Sequence, residues 1–131
     1  MINRRYVLGS IAFSTMLAFG PAALAMGARS FSAKEFDAAQ AAGKSILIEV
    51  HAPWCPVCRA QAPILSRLSS QPKYKDVVRF VIDFDSQKDL LRRFNVHKQS
   101  TLISFKGKQE SGRSVGDTNA ASIEALLAKS I

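Results

Sequence analysis

Both cysteines of this 131-residue chain lie in a single C-x-x-C run, Cys55-Pro56-Val57-Cys58, where a short apolar, β-branched stretch from Ile46 to Val50 gives way to a helical pattern. No other feature restricts the fold as much. A strand buried on both faces has to deliver its carboxyl end, through a loop from His51 to Trp54, directly to the first turn of a helix. Cys55 then stands at the N-cap and Pro56 at the first helical position, where a missing N–H costs nothing. The unpaired N–H groups and the positive end of the helix dipole favour a thiolate at Cys55, while Cys58, one turn in, shares its helical face and is expected to be shielded. A disulfide across so short a loop constrains the unfolded chain by only about 2 kcal/mol, against about 5 for a 100-residue loop, so a structural staple is a poor use of the pair. Reactivity is a better one, with Cys58 resolving a mixed disulfide formed at Cys55.

Metal binding is the competing use of such a pair. Zinc needs about four ligands, and the chain offers two thiols with His51 and His97, the histidines not at finger spacing. Covalent haem attachment needs a histidine directly after the second cysteine, where this chain has Arg59.

Around the cysteine pair the pattern predicts strands alternating with helices. Ser32-Ala33-Lys34-Glu35 reads as a capping box, with Phe36, Ala39 and Ala42 at helical spacing behind it and Gly43 ending the helix. Pro56 to about Ser70 suits a helix carrying Val57, Ile64, Leu65 and Leu68, kinked at Pro63. Val77 to Phe84 reads as a second buried strand, and residues 87 to 94 as a short helix. Thr101 to Phe105 and Gln109 to Val115 read as strands joined by a tight turn at Lys106-Gly107-Lys108. Ala120 to Lys129 closes the chain as a helix with Ile123, Leu126 and Leu127 on one face. The class is α/β: a central mixed sheet of four to five strands with helices on both faces.

Residues 1–25 carry the three parts of an export signal in order: basic Arg4 and Arg5, a 13-residue apolar run from Val7 to Phe19, and the cleavage-type Ala23-Leu24-Ala25. The run is short for a membrane span of about 20 residues, so cleavage is expected rather than an uncleaved anchor. Asn3 to Leu8 resembles a twin-arginine signal in part. The expected mature domain is residues 26–131, in the periplasm or secreted. Without Arg4 and Arg5 it holds 16 basic and 10 acidic residues. The basic residues, among them Lys73, Lys75, Arg79, Arg92, Arg93, Lys106 and Lys108, are scattered without interleaved aromatics, which argues against nucleic acid and for a solvated basic face.

Taken together, Ile46 to Val50, Ala52-Pro53-Trp54-Cys55-Pro56-Val57-Cys58, Ala62-Pro63-Ile64-Leu65, the Val81 to Asp85 strand, Thr101 to Gly107 and Val115-Gly116 make the chain similar to thioredoxin over nearly the whole expected domain. The resemblance implies the thioredoxin fold and thiol–disulfide exchange on client proteins, with Cys55 attacking and Cys58 resolving. It implies a monomer without a soluble cofactor, because the electrons reside in the disulfide, supplied outside the cytosol by a partner such as a membrane-embedded electron carrier. Trp54, Pro56, Ser100 and Thr101 would form the substrate surface.

By position Glu49 matches the family's buried acid, which takes the proton of the second cysteine; a carboxylate inside Ile46 to Val50 would be desolvated accordingly. A solvent-facing Glu49 at a strand end is the plainer alternative. His51, where the family often has an aromatic, is either a cation that supports the Cys55 thiolate or a passive loop residue; His97 reads as surface. Three departures from thioredoxin stand out. The dipeptide between the cysteines is Pro-Val instead of Gly-Pro. Ser100 occupies the place of the cis-proline, so the Gln99–Ser100 bond is expected to be trans and the loop reshaped, with Ser100→Pro expected to raise turnover on generic disulfides. Val81 occupies the place of the lysine beside the buried acid, so Glu49 is expected to be more perturbed. A module that kept the frame but lost turnover, holding a metal or cluster over the two sulfurs, is the alternative reading.

Overall fold

The computed structural model describes residues 27–131; the expected signal segment, residues 1–25, lies outside the described residues. Ser32 caps the first helix as its spacing predicts, its hydroxyl accepting the Glu35 N–H at 3.3 Å, and α1 spans Ala33–Ala41. The helix stops at Gly43, whose φ of 69° lets the Lys44 N–H turn back to the Ala39 carbonyl and the Gly43 N–H to that of Gln40. An L-residue would strain in that left-handed conformation; glycine does not.

Five strands follow the mixed pattern: β1 (Arg29–Ser30), β2 (Ser45–His51), β3 (Val78–Asp83), β4 (Thr101–Lys106) and β5 (Gln109–Val115), in the order β1-β3-β2-β4-β5. β2 runs parallel to β3 and antiparallel to β4, and β4 forms a hairpin with β5. The remaining helices are α2 (Pro56–Ser69), α3 (Lys88–Arg93) and α4 (Ala120–Ala128), with a 3-10 turn at Pro72–Tyr74. β1 is the strand the sequence does not announce. Two residues paired with Phe80 and Val81 are too few to show any period. His51, expected in a loop, ends β2 instead, because the ladder continues to its partner Asp83.

Strand alternation divides β2 between two cores. Ile46, Ile48 and Val50 face α1 and α3 and meet Phe31, Phe36, Phe80, Phe94 and Phe105, whose ring centroids lie 5.3 to 6.2 Å apart, mostly edge to face. Leu47 faces the other way, onto Leu65 and Leu68 of α2 and Ile123, Leu126 and Leu127 of α4. Both faces of the sheet are therefore covered, and the carboxyl end of β2 opens onto the start of α2. Among the described residues no helix is long and apolar enough to cross a membrane.

Candidate active site

At that corner Cys55 has the extended backbone of an N-cap, φ −82° and ψ 112°, and its sulfur accepts the N–H of Cys58 at 3.1 Å. Pro56 follows at the first helical position, exposed and without an N–H to satisfy. The helix runs on through Pro63, which leaves one carbonyl without its usual partner. Both thiols are free and both are buried, Cys55 at 1% and Cys58 at 4% exposure. Shielding was expected for Cys58 alone; Ala52, Val57 and Phe84 close over both sulfurs. Burial, followed by the hydrogen bond with Cys55, pushes the Cys58 thiol up to about 11, and the N–H groups of Ala52 and Ser100 oppose that rise. Its sulfur also lies 3.8 Å from the Val50 carbonyl oxygen.

Trp54 is 54% exposed beside this buried pair. Its ring stands edge-on to Phe84 with centroids 6.5 Å apart, and its indole N–H donates to both carboxylate oxygens of Asp85, at 2.9 and 3.2 Å. The Lys88 ammonium sits over the Phe84 ring, 4.3 Å from its centroid. An exposed apolar plate fixed by a charged hydrogen bond is suited to receive a partner's surface.

The Ser100 loop departs from a simple swap of serine for proline. Among the described residues every peptide bond is trans, as expected here, yet Ser100 takes a φ of 61°. Its N–H donates to the Val50 carbonyl at 2.8 Å, and its hydroxyl donates to the carbonyl of Gln99 at 2.5 Å. Its own carbonyl accepts from Gly116 N–H at 3.1 Å and from the Gln61 amide at 3.2 Å. This changes the expectation for Ser100→Pro. Proline holds φ near −65° and has no N–H, so it breaks the bond to Val50 and reverses the local backbone. Ser100→Pro is expected to cost about 3 kcal/mol of stability, and Ser100→Gly to gain about 0.5 to 1 kcal/mol by relieving the left-handed strain; urea titration of the three proteins measures both. Thr101, expected on the substrate surface, is 2% exposed, with its hydroxyl on the Lys98 carbonyl at 2.7 Å. Its side chain braces the loop from inside because β4 is buried at every position from Thr101 to Phe105.

Glu49 is half-buried on β2 and does not lack a counter-charge. Arg79 supplies it: the guanidinium forks onto the carboxylate at 2.7 and 3.0 Å, with the two side chains 7% and 12% exposed. The place left by Val81 is thus taken two residues earlier on the same face of β3, by Arg79. Glu49, Arg79 and Val81 line a cleft of about 440 Å³ together with His51 and with Ala62 and Ser66 of α2. The Asp83 carboxyl lies below its usual value mainly through the Ser86 hydroxyl, with His51 a minor contributor. His97 is exposed. Gln61, which the sequence reading passed over, is 3% exposed and joins α2 to two loops, donating to the Ser100 carbonyl and, at 2.8 Å, to that of Asp117. Among the described residues no three His, Cys, Asp or Glu side chains come together as metal ligands.

Two buried thiols at the corner where the central strand of a mixed sheet enters a helix define a thiol–disulfide redox protein. Residues 28–129 match the model of the thioredoxin family. Thioredoxin-2 of Saccharomyces cerevisiae is 34% identical over 101 residues, spanning 76% of this chain and 94% of the yeast protein. The H-type thioredoxin of Brassica campestris is 37% identical over 95 residues, or 72% of this chain and 75% of its own length. Among solved structures, the crystal structure of Trxlp from Edwardsiella tarda superposes with a TM-score of 0.75 at 40% identity, covering 77% of this chain and 98% of that one. The chain belongs to the thioredoxin family of thiol–disulfide oxidoreductases.

Proposed function

We propose that this chain is an exported oxidoreductase that exchanges disulfides of client proteins through Cys55 and Cys58. The carrying observation is the pairing of the two sulfurs at the head of α2: Cys55 accepts the Cys58 N–H, while the Cys58 thiol is held protonated by burial up to about 11. In the reducing direction the Cys55 thiolate attacks one sulfur of a client disulfide, and the other leaves as a thiolate that takes up a proton. Cys58 then gives up its proton and attacks the Cys55 sulfur. The Cys55–Cys58 disulfide forms, the mixed disulfide breaks, and two electrons have passed to the client. The reverse sequence oxidises a client dithiol.

Glu49, in the cleft along α2, is proposed as the group that handles the proton of Cys58, with Arg79 holding its carboxylate in place. Trp54, Pro56 and the backbone at Ser100 would receive the client chain, and His51 would adjust the local charge. The apolar run ahead of Ala25 supports export, and outside the cytosol the dithiol needs a partner to reset it, for which a membrane-embedded electron carrier has the right chemistry. No soluble cofactor enters this scheme, nucleic acid has no part in it, and a monomer suffices. Reduction of insulin disulfides in the presence of dithiothreitol is the test: turnover that vanishes in Cys55→Ser supports the reading, and a wild-type protein no faster than dithiothreitol alone overturns it. Equilibration of the Cys55–Cys58 couple against glutathione then sorts reductant from oxidant.

A further inference from the structure

The buried residues of α2 are Cys58, Gln61, Leu65, Leu68 and Ser69; the Ser69 hydroxyl bonds within its own helix, to the Leu65 carbonyl, whereas Gln61 brings in an amide. A buried amide is costly unless its hydrogens are used. Here both go to backbone oxygens of other elements: the Ser100 carbonyl at 3.2 Å and the Asp117 carbonyl at 2.8 Å. Ser100 is the residue that most needs holding, since serine has no preference for a φ of 61°. Its N–H reaches the Val50 carbonyl at 2.8 Å, the same oxygen that lies 3.8 Å from the Cys58 sulfur.

We propose that Gln61 is a positioning residue for the resolving step: by clamping the Ser100 carbonyl to α2 it keeps the Ser100 N–H on the Val50 carbonyl, the oxygen that the Cys58 thiol faces, and so weakens that oxygen's hold on the thiol proton, which must leave before the mixed disulfide can be released. The inference rests on the dithiol reading above. A proline at position 100 would offer no such donor, so Gln61 and Ser100 form one device built around an N–H that the family's usual residue lacks. The direction of the Ser100 contribution to the Cys58 thiol, which favours the thiolate, agrees with it. Other charged groups nearby have engagements of their own. Glu49 is paired with Arg79, His51 acts on Asp83, and the Asp117 carboxylate accepts from Asn119 N–H at 2.8 Å and from the Ser122 hydroxyl.

The test uses an aromatic disulfide, 5,5′-dithiobis(2-nitrobenzoic acid), which separates the two steps. One thionitrobenzoate leaves when Cys55 attacks, and the second leaves when Cys58 resolves the mixed disulfide. Gln61→Met keeps the volume and removes the donor. It is expected to slow the second release about tenfold relative to the first and to move its pH profile up by about one unit. Ser100→Gly in the Gln61→Met background is expected to recover part of the loss, because glycine adopts the left-handed conformation without a clamp; a role in packing alone would not be rescued this way. In the wild-type protein the Ser100 amide resonance should also shift as Cys58 titrates, a readout that survives if Gln61→Met fails to fold. A second release unchanged in rate and pH profile, a loss indifferent to residue 100, or a Ser100 amide blind to the Cys58 titration overturns the proposal. Absence of the first release in the wild-type protein would instead overturn the dithiol reading itself.

Discussion

Arg79→Leu is expected to destabilise the protein by about 3 to 5 kcal/mol, the cost of leaving one member of a buried ion pair without the other. The pair meets the conditions under which that cost is large. Both side chains are nearly enclosed, at 7% and 12% exposure, and the contact is a two-pronged fork at 2.7 and 3.0 Å. Removing the guanidinium leaves the Glu49 carboxylate on the wall of the cleft between β2, β3 and α2 without its counter-charge. Glu49→Leu is expected to cost a similar amount by stranding Arg79. The double variant Glu49→Leu/Arg79→Leu, which removes both charges and adds apolar volume, should recover most of the loss. Urea denaturation followed by circular dichroism gives the three values. Single variants within 1 kcal/mol of wild type, or a double variant whose loss equals the two single losses added, would mean that solvent reaches the pair and that the fork is an ordinary surface contact.

This ion pair also marks where the sequence stopped being legible. The run from Val77 to Phe84 announces a buried strand through its β-branched and aromatic residues, and the strand is there. A period of two puts residues 79 and 81 on one face, so a charge at 79 can serve an acid facing 81. The register that makes Glu49 the neighbour of Val81 is a long-range property of the sheet, and a one-residue slip would have sent Arg79 to the other face. Gln61 left a clearer trace. It is the polar member of a stripe at positions 58, 61, 65 and 68, and a polar residue on an apolar helical face calls for a partner. What the sequence withholds is the partner, since two backbone carbonyls look the same at every position. Ser100 shows the same limit. Its place was legible from the residues around it, while its φ of 61° follows from bonds made by Val50, Gln61 and Gly116, each far from it in sequence. The local signals were read correctly where the physics is local: the Ser32 cap, the Gly43 stop, and Cys55 at the head of α2.

Cys58→Ser is expected to lower turnover on protein disulfides by about two orders of magnitude or more, while Cys55 still forms the mixed disulfide and then holds it, because a serine hydroxyl cannot displace the client sulfur. A stable covalent adduct with a client, released by dithiothreitol, is the direct readout. The same thiol sets the pH behaviour of the wild-type protein. Burial, and then the neighbouring Cys55, raise Cys58 of the reduced protein from 9.0 to about 11, so its thiolate is scarce at neutral pH, and the rate of resolution should rise with pH across the neutral range. The sign for stability follows from where the proton is held more tightly. A group whose pKa is raised by folding contributes fully below its unfolded value and loses that contribution as pH rises through the folded one. The reduced wild-type protein should therefore lose about 2 kcal/mol between pH 9 and about 11 beyond whatever Cys58→Ser loses over the same interval. Parallel stability curves for the two proteins across that interval, together with a resolution rate independent of pH, would show that Cys58 is not held protonated and that another group limits release of the client.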